Sequence, residues 1–239
     1  MKLSIIICAY NERRTILDAI YQAHAVDLGA GWEQEIIVVD NFSTDGTREL
    51  LQETDLPDIS TSPIRVIFHP RNMGKSASIL TGVAEASGDY FVIFDSDLEY
   101  EAGDISRMAA AIIPGETVAV FGSRTMSGHK IYEYAKNYWG VRFLTLIANL
   151  LFKGNLTDIA TGIKLARLDV TRSLALSAHD FDLDFELPCK LLKQGYEIEE
   201  VPVAYHPRTA EQGKGIVGLK AFFVGFRVLW VYLKVLLDA

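Results

Sequence analysis

The chain has 239 residues, 49% of them hydrophobic and 23% charged, which excludes a disordered chain and allows one globular domain with a full core. Its formal net charge of −8 excludes non-specific nucleic-acid binding as the work of the whole surface. Two cysteines, Cys8 and Cys189, sit far apart in apolar stretches, which excludes a disulfide framework or a cysteine-built zinc site.

The N-terminus lacks a leader pattern: Leu3 to Cys8 is a short apolar run, followed at once by Asn11, Glu12, Arg13 and Arg14. A start in the cytosol is expected. Leu3 to Cys8, Glu35 to Asp40, Arg65 to Phe68, Tyr90 to Asp95 and Thr117 to Gly122 read as strands, being rich in Ile, Val and Phe. Between them Glu12 to Val26, Asp45 to Glu53, Gly74 to Ala86 and Asp104 to Ile113 carry helix formers with apolar residues three or four apart. This alternation predicts crossover units and an α/β fold with a mostly parallel central sheet flanked by helices.

Further on, Ile131 to Lys153 reads as a long aromatic and aliphatic helix, Asp158 to Leu168 as a loop and strand, Asp184 to Gln194 as a helix closed by Gly195, and Tyr196 to Tyr205 as a strand. Ile216 to Leu237 predicts a closing helix. Lys220, Arg227 and Lys234 recur every seven residues along one stripe of it. That pattern predicts an amphipathic helix lying in a membrane interface rather than crossing it, with Tyr134, Tyr138, Trp139, Phe143, Leu146, Ile147, Leu150, Leu151 and Phe152 forming a second apolar surface. The alternative is a pair of helices packed on each other or across a dimer seam. The expected division is a catalytic domain over 1–214, split at 124 into donor and acceptor halves, followed by an interfacial helix over 215–239.

In open parallel sheets ligands sit beyond the carboxyl ends of the strands, and the polar residues cluster there. Asp95-Ser96-Asp97 ends an apolar run, and residues two apart on extended chain face one side, so both carboxylates can converge on a cation or on a cation and a ribose. Taken alone the pattern also fits a capped turn. Gly74-Lys75-Ser76 is not the end of a phosphate-binding P-loop, because His69 stands where that motif needs glycine.

Together, Ala9-Tyr10-Asn11-Glu12, Asp40 through Thr47, Arg71 to Lys75, Asp95-Ser96-Asp97, Thr157 to Lys164, Asp184-Phe185-Glu186 and His206 to Lys214 resemble the inverting GT-A glycosyltransferases. Within them they are similar to the branch of dolichol-phosphate mannosyltransferase and its bacterial polyprenyl-phosphate relatives. The resemblance implies a GT-A, Rossmann-like fold in which Ala9, Tyr10, Glu12 and Asp40 hold the nucleoside. Lys75 would approach the donor, Asp95 would serve its ribose, and Ser96 would also bind the donor. Asp97, with Asp95, would hold Mg²⁺ or Mn²⁺. Two departures stand out: Cys8 replaces the usual proline, and Asn41-Phe42 replaces the usual Asp-Gly.

The implied reaction moves a sugar from a nucleoside-diphosphate sugar (GDP-mannose or UDP-hexose) to a polyprenyl or dolichyl phosphate at a membrane surface. Arg124, Arg208 and Lys214 would host the acceptor phosphate. If the acceptor were a hydroxyl of a lipid or glycan, Asp184 or Glu186 would accept its proton; these two could equally open a helix and complement its dipole. A non-catalytic nucleotide-binding membrane adaptor is the reading from another class. The expected setting is peripheral, on the cytoplasmic face of a membrane, with self-association or a membrane-protein partner for firmer anchoring and no nucleic acid.

Overall fold

The computed structural model describes residues 1–56, 63–126, 135–177, 180, 182–208 and 219–238. Seven strands form one sheet in the order β3-β2-β1-β4-β6-β5-β7. They are β1 (Lys2–Ala9), β2 (Glu33–Asp40), β3 (Ile64–Phe68), β4 (Tyr90–Asp95), β5 (Ala119–Ser123), β6 (Lys164–Arg167) and β7 (Ile198–Pro202). The first four pair in parallel, as do β5 and β7, while β6 runs antiparallel to both of its neighbours. The expected mostly parallel sheet is present, with one reversed strand between β4 and β5.

Alternation along the strands loads both faces. Ile5, Ile7, Val38 and Val92 pack under α1 (Ile16–His24) and α4 (Gly103–Ala110). Ile6, Ile37, Val39 and Ile93 pack on the other face with α3 (Lys75–Glu85), α6 (Leu168–Ser173) and α7 (Leu183–Lys193). Residues one apart therefore bury in opposite layers, as a two-residue period requires of a sheet covered on both sides. α2 (Thr47–Glu53) follows β2.

A third apolar cluster joins α5 (Ala135–Phe152) and α8 (Leu219–Leu237) to α7 through Ala148, Phe152, Phe185, Val228 and Tyr232. Helix pairing thus accounts for one side of α8. Two of the three basic residues are turned toward the protein: Arg227 pairs with Asp180 and Asp182, and Lys234 donates to the Ser177 hydroxyl, while the side chain of Lys220 lies outside the described residues. On the outer side Phe226, Trp230, Leu233 and Leu237 remain exposed, as do Trp139, Phe143, Leu146 and Leu150 of α5. Both sets follow the spacing i, i+4, i+7, i+11, one continuous stripe per helix. Among the described residues no helix is long and apolar enough to cross a membrane.

Candidate active site

The carboxyl ends of β1, β2 and β4 open onto a cleft of about 570 Å³. Each of these strands leaves the sheet through a left-handed residue: Asn11 (φ 58°), Phe42 (φ 64°) and Leu98 (φ 59°). Such backbone costs a residue with a side chain roughly 1–2 kcal/mol. At all three exits the chain turns sharply, bringing Ala9, Asn41 and Asp95 to the cleft.

Asp95 ends β4 and meets Lys75, the first residue of α3, at 2.8 Å. Lys75 also stands 4.0 Å from Asp184, whose other oxygen lies 3.7 Å from the fully buried Lys164. Burial works against the Lys75 ammonium, but Asp95 and Asp184 outweigh it and raise its pKa. Lys164 is held below the usual lysine range by burial, against the pull of Asp184 and Asp158. The row Asp95, Lys75, Asp184, Lys164 alternates in sign from the cleft into the interior.

Gly74 sets the start of α3. Its φ is +86°, and a Cβ there would stand 2.8 Å from an Asp180 carboxylate oxygen. Glycine supplies both the backbone angle and the close approach.

Asp97 lines the same cleft. Burial first, then Asp95 and Glu99, push its carboxyl up to about 7. Carboxylates crowded in this way offer hard oxygen ligands, which suit Mg²⁺ or Mn²⁺. Among the described residues no group of three or more His, Cys, Asp or Glu side chains is preassembled around a point. Asp95 and Asp97 are the residues that would hold such an ion, and it would supply Lewis acidity at the cleft.

Arg208 closes one side. It forms a two-pronged pair with Glu12 at 2.9 and 2.7 Å, and its Nε donates to the Asp97 carbonyl at 3.1 Å. Glu99 holds this segment by accepting from the Arg208 backbone N–H and the Tyr205 hydroxyl. A single bridge between Tyr100 and Tyr205 fixes the crossing.

Of the sequence-derived candidates, Ala9, Tyr10, Glu12, Lys75, Asp95, Ser96, Asp97 and Arg208 line the cleft, and Asp184 stands behind Lys75. Asp40 does not line it: it is fully buried, accepts from the Ser43 N–H and lies 3.7 Å from Arg48, so its neighbour Asn41 presents the β2 end instead. Arg124 turns inward, where Asp158 takes its guanidinium in two bonds of 2.6 and 2.8 Å. Glu186 faces away, accepting from Ser177 and pairing with Lys190, because it lies half a helical turn from Asp184. Lys214 lies outside the described residues.

Glu99, Asn41, Tyr205 and Lys164 were not singled out as site residues. Glu99 had a signal, standing two residues after Asp97. Lys164 lies in the Thr157 to Lys164 segment of the resemblance, but nothing in a short strand shows which residue a distant aspartate will meet.

Residues 4–174 match the family described as glycosyl transferase family 2. The chain is 29% identical over 218 residues to the dolichol-phosphate mannosyltransferase of Pyrococcus furiosus, covering 90% of this chain and 59% of that protein. It is 31% identical over 116 residues to the undecaprenyl-phosphate 4-deoxy-4-formamido-L-arabinose transferase of Pseudomonas savastanoi, covering 48% of this chain and 34% of the relative. The chain thus spans less than two thirds of the length of either. Its fold is similar to a crystal structure of glucosyl-3-phosphoglycerate synthase from Mycobacterium tuberculosis in complex with Mn²⁺, UDP and phosphoglyceric acid. That likeness has a TM-score of 0.70 at 18% identity and covers all of this chain and 79% of the other. With the matched segment running from β1 through α6 and so containing the strand-end cleft apart from Asp180 and the Tyr205–Arg208 edge, the chain belongs to glycosyl transferase family 2.

Proposed function

We propose that the chain is a divalent-metal-dependent inverting glycosyltransferase that moves a sugar from a nucleoside-diphosphate sugar, GDP-mannose or a UDP-hexose, to a polyprenyl phosphate. The observation that carries this reading is the convergence of Asp95, Asp97 and Lys75 in one cleft at the carboxyl edge of the sheet. The relatives named for dolichol phosphate and undecaprenyl phosphate support the acceptor class, and the fold neighbour with Mn²⁺ and UDP supports the donor class.

In transfer, the nucleoside diphosphate departs from the anomeric carbon and its new charge must be stabilised. Lys75 would supply an ammonium, and a cation at Asp95 and Asp97 would supply Lewis acidity at the leaving phosphate. The surroundings of Asp184 support a phosphate acceptor. Its charge is already matched by Lys75 and Lys164, a poor setting for taking a proton from a hydroxyl. A phosphate acceptor is anionic near neutrality and needs no base; it needs cations, and Arg208 and Arg124 are the candidates.

The exposed stripes on α5 and α8 support peripheral binding to a bilayer, and the cytoplasmic face is part of the proposal. Trp139 is 68% exposed and Trp230 66%, and exposed indoles suit the headgroup region. The second reading, transfer to a hydroxyl, draws on Asp184 Oδ1, which is buried without a hydrogen bond.

Purified protein incubated with Mn²⁺, a panel of nucleotide sugars and a short prenyl phosphate tests the proposal. Formation of a prenyl-phosphate sugar, abolished by Asp97→Ala, is the expected result. Nucleotide binding without transfer to any acceptor would favour the adaptor reading. Transfer to a hydroxyl lipid, lost in Asp184→Asn with donor binding retained, would favour the second reading.

A further inference from the structure

Asn41 is nearly fully buried at the end of β2, yet reaches the cleft. Its carbonyl oxygen accepts from the Met73 backbone N–H at 2.8 Å and from His69 Nδ1 at 3.1 Å, and its Nδ2 donates to the Asn72 side-chain oxygen at 3.0 Å. That same Asn72 oxygen accepts from the Gly74 N–H at 3.0 Å. Backbone N–H groups can only donate, so Met73 fixes which end of the Asn41 amide faces it and Gly74 does the same for Asn72. Between the two side chains there remains one position, and it must hold a donor.

The network reaches further into α3. With Asn41 unable to donate from its oxygen, His69 must carry its proton on Nδ1, leaving Nε2 to accept from the Thr81 hydroxyl at 3.0 Å. Burial keeps the ring below the usual histidine pKa, in keeping with that neutral form. The Asn41 side chain therefore ties the end of β2 to the 72–74 turn directly and to the body of α3 through His69. Lys75 is the next residue after that turn.

We propose that Asn41 is a positioning residue for Lys75: its amide sets the 72–74 turn and so places the ammonium that the donor diphosphate meets. An amide is required. A carboxylate would set an oxygen against the Asn72 oxygen, which Gly74 prevents from turning away. The aspartate usual here in the resembled family therefore does not suit this chain. The inference rests on the donor reading of the cleft given above.

Two measurements on the full chain separate the inference from that reading. The first is amide hydrogen exchange at Met73 and Gly74 in Asn41→Asp and Asn41→Ala, with the amides of β1 and β4 as reference. Exchange should quicken about tenfold or more at the turn, the scale of a lost hydrogen bond, and stay unchanged in the reference strands. The second is the affinity for UDP and GDP with Mn²⁺ in the unaltered protein, Asn41→Asp, Lys75→Ala and the double variant. Asn41→Asp should weaken binding about tenfold in the native background and not at all when Lys75 is already absent. Unchanged exchange at the turn, or an equal loss of affinity in both backgrounds, would overturn the role given to Asn41. If the unaltered protein binds neither nucleotide, the donor reading falls, while the exchange measurement still decides whether Asn41 sets the turn.

Discussion

Asp95 and Lys75 face each other at 2.8 Å across the floor of the cleft, one ending a strand and the other opening a helix. With Asp184 on its far side, Lys75 holds apart two carboxylates that would otherwise repel. Lys75→Ala is expected to lower transfer by about 100-fold or more, the scale for removing one group that stabilises developing charge. Lys75→Arg should retain part of the rate. Steady-state kinetics with saturating acceptor reads both, and equal rates in the alanine variant and the unaltered protein would contradict this role.

Asp97 predicts a pH dependence. Its carboxyl, raised to about 7 by burial and by Asp95 and Glu99, binds a proton more tightly in the folded chain than in the unfolded one. It therefore favours folding below the ordinary carboxylate range, and that contribution disappears as pH climbs to about 7. Without metal, Asp97→Asn should melt higher than the unaltered protein near pH ~8 and at the same temperature near pH ~4. Mn²⁺ affinity of the unaltered protein should fall as pH drops below about 7, because the ion must displace the proton. Thermal melts across pH, with and without Mn²⁺, check both.

Arg124 and Asp158 form a buried pair. Breaking it by Arg124→Ala strands a carboxylate in the interior and should cost about 3–5 kcal/mol. Adding Asp158→Asn should restore most of that stability. If Arg124 also receives the acceptor phosphate, the restored double variant will show an acceptor KM raised at least about tenfold with an unchanged donor KM. An unaltered acceptor KM would make the arginine purely structural.

Glu186 accepts from Ser177 and pairs with Lys190, so Glu186→Gln should lower the melting temperature and leave the transfer rate within about twofold. A collapse of activity in a well-folded variant would return it to the reaction.

The apolar stripes predict vesicle binding. Trp230→Glu and Phe226→Glu should each weaken partition into prenyl-phosphate-containing vesicles by about tenfold or more, since burying one aromatic contributes on the order of 1.5–3 kcal/mol. Co-sedimentation measures this, and unchanged partition in variants with native melting would argue for a protein partner on that face.

The strands and most helices were legible because each has a clear period: Ile5, Ile6 and Ile7 announce a strand buried on both faces, and the polar residues after Ala9, Asp40 and Asp95 mark the sheet edge. The reversal of β6 was not legible. Lys164 to Arg167 is only four residues long, and direction is set by which edges remain open once β4 and β5 are placed. The cleft residues near the acidic pair were readable from local spacing. The inward turn of Arg124 and the spread of Arg208 across Glu12 depend on partners 34 and 196 residues away, which no local pattern encodes.

Because β6 is reversed, its leading residues arrive at the edge where the neighbouring strands finish, bringing Gly162 up behind Asp95. A methyl group at Gly162 would stand 2.8 Å from Asp95 Oδ2. The acidic edge is thus buttressed by bare backbone, so even alanine at 162 would tilt the Asp95 carboxylate forward into the space a ligand would use. Substitution at 162 should therefore alter donor binding by moving Asp95, although Gly162 does not itself line the cleft.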